Sequence, residues 1–157
     1  MQRKLERSLA FATKKHEGQY RIGGEEFITH PIAVYELVKR QGYGIEYQMT
    51  ALFHDLLEDT DATQEEIKAI GGTQVLHAVK LLTKKKGYDI ATYIEGIKSD
   101  PIAFAIKKAD RLHNLLCAKQ TSESFRRKYI AETERWYADF SSEIADALDE
   151  LKMTLEE

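Results

Sequence analysis

A histidine followed directly by an aspartate, His54-Asp55, lies in the apolar run from Met49 to Asp59, which reads MTALFHDLLED. The run contains no helix breaker, so we expect one continuous helix. The helical period places Glu58 one turn after His54, and it places Asp59 one turn after Asp55. Burying carboxylates costs several kcal/mol unless a cation keeps them ionised, so the cluster predicts a divalent metal site. A surface helix with solvated carboxylates is the alternative, and the flanking leucines argue against it.

Two further segments offer metal ligands in similar settings. His30 comes directly before Pro31, and proline is favoured in the first turn of a helix. Asp110 lies among apolar residues of a second helix, which we expect Asp100 to cap and Pro101 to begin. A shell of imidazoles and carboxylates suits manganese, iron or zinc better than calcium, and it leaves positions open for water. The predicted metal ligands are His30, His54, Asp55 and Asp110.

The order of these ligands along the chain, H…HD…D, resembles the signature of HD-domain metal-dependent phosphohydrolases. Longer matching segments, in the same order and spacing, resemble the hydrolase domain of the RelA/SpoT alarmone enzymes and their small stand-alone relatives, over about residues 5–140. These segments are His16–Arg21, Phe27–Pro31, Ala51–Thr60 and Ala109–Asn114. The resemblance implies an all-α, compact helical bundle of the HD type with its active site between helices.

The reaction that the resemblance implies is hydrolysis of guanosine tetraphosphate (ppGpp) to GDP and pyrophosphate by a metal-activated water. A divalent metal lowers the pKa of bound water, but protons must still be moved. Glu58 and Asp59 lie one turn beyond the ligand pair, and the resemblance supports them as the catalytic acidic residues. The alternative is a solvent-exposed pair at a helix C-terminus, which the helix dipole disfavours. We expect Mn²⁺ as the cofactor, with Fe²⁺ or Zn²⁺ also fitting the ligand set.

The resemblance also implies substrate contacts. Arg21 stands where relatives place an arginine against the guanine base, and a guanidinium plane can stack on a base. Asn114 resembles a nucleoside-binding asparagine, although it could equally bind a backbone carbonyl. Lys84 and Lys128 belong to basic runs that either grip terminal phosphates or are merely solvated. His16 occupies a position at which relatives often carry histidine, with a distant supporting role.

Several positions depart from the family pattern near the predicted nucleotide pocket, among them Glu26-Phe27, where relatives commonly carry Pro-Tyr. Ile22 replaces a basic residue that commonly follows the loop arginine, and Leu116 and Cys117 stand where relatives often carry arginine and threonine. These departures bear on the substrate more than on the reaction class. Two alternatives therefore stay open: hydrolysis of another nucleotide, such as a dinucleotide phosphate or a deoxynucleotide, or a module that senses a nucleotide without turnover.

Composition is consistent with one HD hydrolase domain over residues 1–157, with a motif-bearing core at about 5–140 and a helical tail at 141–157. We expect a hydrolase acting alone, since 157 residues leave no room for the synthetase domain of bifunctional relatives. The net charge of −3 argues against a nucleic-acid partner, and no run of about 20 apolar residues predicts a membrane span. The single cysteine fits a cytoplasmic location. Aromatic residues fit either the core or a homo-oligomer interface.

Local signals predict helices along almost the whole chain and no strand. Thr63 and Glu66 form a capping-box pattern, and Asp89 is a further expected N-cap. The expected later helices are about Thr73–Leu82, Ile90–Lys98 and the stretch from Ser124 onward with a break near Ser141.

Overall fold

The structure is a computed structural model that describes residues 2–155. Over that range the chain is built of α-helices and contains no strand, apart from one isolated bridge between Tyr20 and Glu26. The predicted all-α class is confirmed. Within the same range, no helix is both long enough and apolar enough to pass through a bilayer.

The chain divides into two compact units, one reaching Lys107 and the other starting at Lys108. The single-domain boundary 1–157 therefore stays a prediction. The first unit contains α1 Gln2–Lys15, α2 Thr29–Arg40, α3 Ile45–Phe53, α4 Leu56–Asp59, α5 Gln64–Gly71, α6 Thr73–Leu82 and α7 Ile90–Lys98. Helix α8, Pro101–Cys117, begins in the first unit and continues without interruption into the second.

Helix α3 is the central element of the first unit, because α1, α2, α5 and α6 all pack against it. Its residues Met49, Leu52 and Phe53 are almost completely buried. The Phe53 ring meets the Phe11 ring edge to face, with centroids 5.9 Å apart. Each Å² of apolar surface that this packing removes from water stabilises the folded state by about 25 cal/mol. The core therefore fixes the end of α3, where His54 follows Phe53.

The second unit contains the rest of α8, a short 3₁₀ turn at Ala118–Gln120, α9 Glu123–Trp136 and α10 Ser142–Met153. Helices α9 and α10 pack against each other. Buried Arg111 on α8 donates a 2.7 Å hydrogen bond to Glu132 on α9, and its guanidinium lies 3.9 Å from the centroid of the Tyr137 ring. Buried Arg111 therefore has an acidic partner on the neighbouring helix.

Most predicted helix ends are confirmed, because they depend on side chains within one turn. Thr63 and Glu66 form the reciprocal capping box that begins α5. Asp89 accepts from the Thr92 backbone N–H, and Asp100 accepts from the Ala103 N–H at 3.1 Å. Ser141 caps α10 where the break was expected.

One prediction is wrong: the stretch from Met49 to Asp59 is not a continuous helix. Helix α3 ends at Phe53, and α4 begins only at Leu56. The backbone of Asp55 has φ −101° and ψ −2°, outside ideal helical values. The Ala51 carbonyl, which lies in the last turn of α3, accepts a hydrogen bond from the His54 ring. This local bond competes with the helical pattern, and apolar periodicity does not reveal it.

Replacing Phe53 with alanine should lower the free energy of unfolding by about 3–5 kcal/mol, because the truncation opens a cavity at the centre of the core. Urea unfolding followed by circular dichroism measures the change.

Phe125 on α9 provides the matched control, since its side chain is 37% exposed. Phe125→Ala should cost about 1 kcal/mol or less. Equal losses in the two variants would contradict the central position assigned to Phe53.

Candidate metal centre

Three predicted ligands converge within the first unit. His30 lies in the first turn of α2, His54 follows α3, and Asp55 precedes α4. The two imidazole centroids are 5.3 Å apart. The Asp55 Oδ2 atom lies 3.1 Å from His54 Nε2 and 3.9 Å from His30 Nε2. Both histidines are buried, so these donor atoms meet in a poorly solvated place.

Helix α2 begins slightly earlier than expected, at Thr29 rather than Pro31. The turn before it already forms helix-like bonds, from the Thr29 N–H to the Glu26 carbonyl and from the His30 N–H to the Phe27 carbonyl. His30 is therefore held within the first helical turn rather than ahead of it.

The His54 tautomer follows from its hydrogen bond. His54 Nδ1 lies 2.7 Å from the Ala51 carbonyl oxygen, which can only accept, so Nδ1 carries the proton. In the neutral ring Nε2 then presents a lone pair, and this atom faces the Asp55 carboxylate. Two acceptor atoms 3.1 Å apart are compatible when a cation or a proton lies beside them. The backbone bond thus orients the imidazole as metal-binding histidines require.

Asp110 is the fourth predicted ligand, and it is buried on α8. Its role as a ligand stays a prediction. Within the first unit, Asp55 adjoins both imidazoles. Nitrogen and carboxylate donors in this combination fit a divalent transition metal.

Glu58 and Asp59, the predicted catalytic pair, are the last two residues of α4 and keep part of their surface exposed. Glu58 is held in place by a 2.6 Å hydrogen bond that its Oε1 accepts from the Lys84 backbone N–H. Partial burial raises the pKa of Asp59 to about 6, and the negative charges of Asp55 and Glu58 add to the rise. Asp59 can therefore hold a proton closer to neutral pH than an ordinary aspartate does.

The predicted substrate residues occupy different places. Arg21 lies in the turn between the bridge residues Tyr20 and Glu26, and its backbone N–H donates to the Glu25 carbonyl at 2.7 Å. The Lys84 ammonium lies 5.7 Å from the centroid of the Tyr93 ring. The backbone N–H of the same residue donates the hydrogen bond to Glu58.

The other two predicted substrate residues lie in the second unit. Asn114 donates to Asp110 Oδ1 at 3.3 Å, and Lys128 is exposed on α9. The substrate roles of all four residues stay predictions.

His16, for which we expected a distant supporting role, is buried and makes a specific side-chain contact. Its side chain is 2% exposed, and Nδ1 lies 2.8 Å from Gln19 Oε1. Burial lowers the pKa of His16, and the charges of Asp55, His54 and His30 also act on it. The family resemblance pointed to a histidine at this position, but the contact with Gln19 and the burial come from the tertiary structure.

Comparisons with known proteins identify relatives across almost the whole chain. A family model described as HD domain matches residues 8–144. A guanosine-3′,5′-bis(diphosphate) 3′-pyrophosphohydrolase of Haemophilus influenzae is 30% identical over 157 residues, which is 93% of this chain and 23% of the relative. The Aquifex aeolicus protein of the same name is 34% identical over 142 residues, which is 85% of this chain and 20% of the relative.

A solved structure shares the fold. It is described as a metazoan orthologue of SpoT that hydrolyses ppGpp, and it matches with a TM-score of 0.72 and 25% identity. The match covers 98% of this chain and 92% of that one. The chain spans only 15–23% of the length of the first three curated relatives.

Replacing Asp59 with asparagine should stabilise the metal-free protein at pH 7.5. A raised folded-state pKa means that the stability contributed by Asp59 is full below its unfolded pKa and is lost as pH rises through about 6. Asparagine does not ionise, so the free energy of unfolding of the variant should exceed that of wild type at pH 7.5. This difference should shrink as pH falls from 6 to 4. Urea unfolding in the presence of a chelator, at several pH values, measures it.

Asp61→Asn is the matched control with the opposite sign. A hydrogen bond from Lys15 lowers the pKa of Asp61, so its contribution is present at neutral pH and is lost as pH falls. That variant should be less stable than wild type at pH 7.5. A pH-independent effect of Asp59→Asn would contradict the assigned charge environment.

Proposed function

Because the chain belongs to the HD domain family, we propose that it is a metal-dependent phosphohydrolase that hydrolyses ppGpp to GDP and pyrophosphate. The observation that carries the proposal is the convergence of His30, His54 and Asp55, with the His54 lone pair directed at the Asp55 carboxylate. The substrate is supported by the names of the relatives from Haemophilus influenzae and Aquifex aeolicus.

The metal would be held by His30, His54 and Asp55, with Asp110 as the further ligand that the sequence pattern predicts. The mixed donor set favours Mn²⁺, with Fe²⁺ or Zn²⁺ as alternatives. When bound, a divalent metal supplies a water of lowered pKa and polarises a phosphoryl oxygen. The protein contributes the orientation of the ligands. The Ala51 carbonyl fixes the His54 tautomer, and the first turn of α2 fixes His30.

Proton transfer falls to the carboxylate pair. In the reaction a water oxygen bonds to the phosphorus next to the ribose, the bond from that phosphorus to the 3′-oxygen breaks, and the 3′-oxygen takes up a proton. Asp59, whose partial burial raises its pKa to about 6 in the metal-free protein, is suited to donate this proton and then to take one up from the attacking water. Glu58, held by the Lys84 N–H, is suited to accept a hydrogen bond from the water and so orient it, while the proton passes to Asp59.

Several further assignments rest on the sequence and belong to the same proposal. Arg21 would contact the guanine base, Asn114 the nucleoside, and Lys84 and Lys128 the terminal phosphates. A single domain over residues 1–157, a cytoplasmic location and a homo-oligomer remain predictions.

A second candidate is hydrolysis of a different phosphorylated nucleotide. Ile22, directly after Arg21, is 77% exposed, and Leu116 is 48% exposed. Apolar surface at two positions where relatives carry basic residues would weaken phosphate or base recognition. The reaction class is the same in both candidates, so product analysis separates them from each other and from a sensing module.

Purified protein with Mn²⁺ and ppGpp should release GDP and pyrophosphate in equal amounts. His54→Ala and Asp55→Ala should each lower kcat/KM by more than about 100-fold, since even residues beyond the direct ligands typically cost 10- to 100-fold. Chromatography of the nucleotides and a pyrophosphate assay measure the products.

His77→Ala, an exposed histidine on α6, should keep wild-type turnover. Orthophosphate or triphosphate from other nucleotides, with no turnover of ppGpp, would favour the second candidate. Metal binding with no turnover of any nucleotide would favour the sensing module.

Metal binding should raise the melting temperature. Ligand at about 100 times its Kd adds about 2.7 kcal/mol to the stability of the folded state. Thermal unfolding with Mn²⁺ or Zn²⁺ should show this gain, and a chelator should reverse it. His54→Ala should abolish the gain while His77→Ala preserves it, and an equal gain in both variants would refute the assigned ligands.

A further inference from the structure

His16 lies directly after α1 and is a buried polar side chain to which the proposed chemistry assigns no role. Only 2% of the residue is exposed, and among residues 2–155 the Nε2 atom finds no hydrogen-bond partner. A buried polar atom without a partner loses its hydration and gains nothing in return. Such an atom in a candidate site calls for a ligand or a water that completes it.

The tautomer of His16 shows what this atom can do. Gln19 Nε2 donates to the Asp59 backbone carbonyl at 2.7 Å, and this bond fixes the orientation of the Gln19 amide. Gln19 Oε1 then accepts from His16 Nδ1 at 2.8 Å, so Nδ1 carries the proton of the neutral ring. Nε2 is therefore a hydrogen-bond acceptor, and it requires a donor.

The surroundings of His16 belong to the metal centre. Its ring packs on Phe27 with centroids 4.8 Å apart, and Phe27 in turn meets the His30 ring edge to face. The charges of Asp55, His54 and His30 act on His16. Through Gln19 the same side chain is tied to the backbone of Asp59. His16 thus connects the predicted ligands to the predicted proton donor.

We propose that His16 is a positioning residue whose Nε2 accepts a hydrogen bond from a water molecule in the metal centre. The inference rests on the proposed function and adds a residue to it. A direct bond to the metal is the other chemical option for such an atom. Asp55 Oδ2 adjoins the Nε2 atoms of His30 and His54, however, whereas the His16 ring packs on Phe27, and Phe27 in turn contacts His30. A water between His16 and the metal fits this placement.

Two substitutions separate the roles of the two ring nitrogens. His16→Asn keeps a short amide that can donate to Gln19 and loses the acceptor at the Nε2 position. His16→Gln places an amide oxygen near that position. Steady-state hydrolysis of ppGpp should show kcat reduced about 10- to 100-fold in His16→Asn with KM little changed, as for other residues that orient a metal centre indirectly. His16→Gln should recover a large part of kcat.

Two further readouts do not depend on turnover. The Zn²⁺ affinity of His16→Asn, measured by competition with a chromogenic chelator, should stay close to wild type, while that of His54→Ala should fall steeply. Nitrogen NMR of the wild-type histidines should show His16 with an unprotonated Nε2. Adding Zn²⁺ should shift that signal as a hydrogen bond forms, by less than the shift of the coordinated His54 nitrogen.

The outcomes distinguish the proposals. A parallel steep loss of Zn²⁺ affinity in His16→Asn would make His16 a metal ligand and overturn the water contact. Wild-type kcat in His16→Asn, or a protonated Nε2, would overturn it as well. If the two His16 variants lose the same amount of kcat and the same amount of thermal stability, His16 acts only through packing, and the water contact is refuted. If wild type does not hydrolyse ppGpp, the substrate proposal fails, and the NMR and Zn²⁺ measurements still decide the role of His16.

Discussion

The hydrogen bond between His54 Nδ1 and the Ala51 carbonyl governs the geometry of the metal centre. It occupies a carbonyl in the last turn of α3, so the helix ends at Phe53 and resumes at Leu56. It also places a proton on Nδ1, so that in the neutral ring the Nε2 lone pair faces the Asp55 carboxylate. One local bond therefore sets both the break between two helices and the donor atom that the centre presents.

That bond holds its position because α3 lies in the middle of the first unit. Phe53 and Leu52, just before His54, are buried among the helices that pack on α3. Interiors are close-packed, so a small displacement of this helix end would disturb many contacts. His54 is thus held by apolar packing of the residues before it in the chain. His30 approaches it from α2, whose first turn is tied to the preceding loop by backbone hydrogen bonds.

Acidic groups around the centre are placed in unequal environments. Asp55 adjoins two imidazoles, Glu58 accepts a backbone N–H, and Asp59 is partly buried near both of these charges. The result is one carboxylate suited to bind a cation, one fixed acceptor and one group with a raised pKa. Separation of roles by environment is how a cluster of carboxylates can supply a ligand, an orienting base and an acid at the same pH.

The sequence by itself determined the all-α class, the HD-type ligand pattern and most helix ends. The capping box of Thr63 and Glu66 and the cap at Asp89 involve atoms within one turn, so local residue types suffice to predict them. Tertiary structure alone decided which distant groups meet. Glu58 accepts a hydrogen bond from the backbone of Lys84, which is 26 residues away in the chain. Gln19, which binds His16, also donates to the backbone of Asp59, 40 residues after Gln19. Such contacts depend on helix packing, because apolar periodicity specifies a buried face without specifying its neighbour. The break at Asp55 also escaped the sequence, since a side chain that competes for a helical carbonyl leaves that periodicity unchanged.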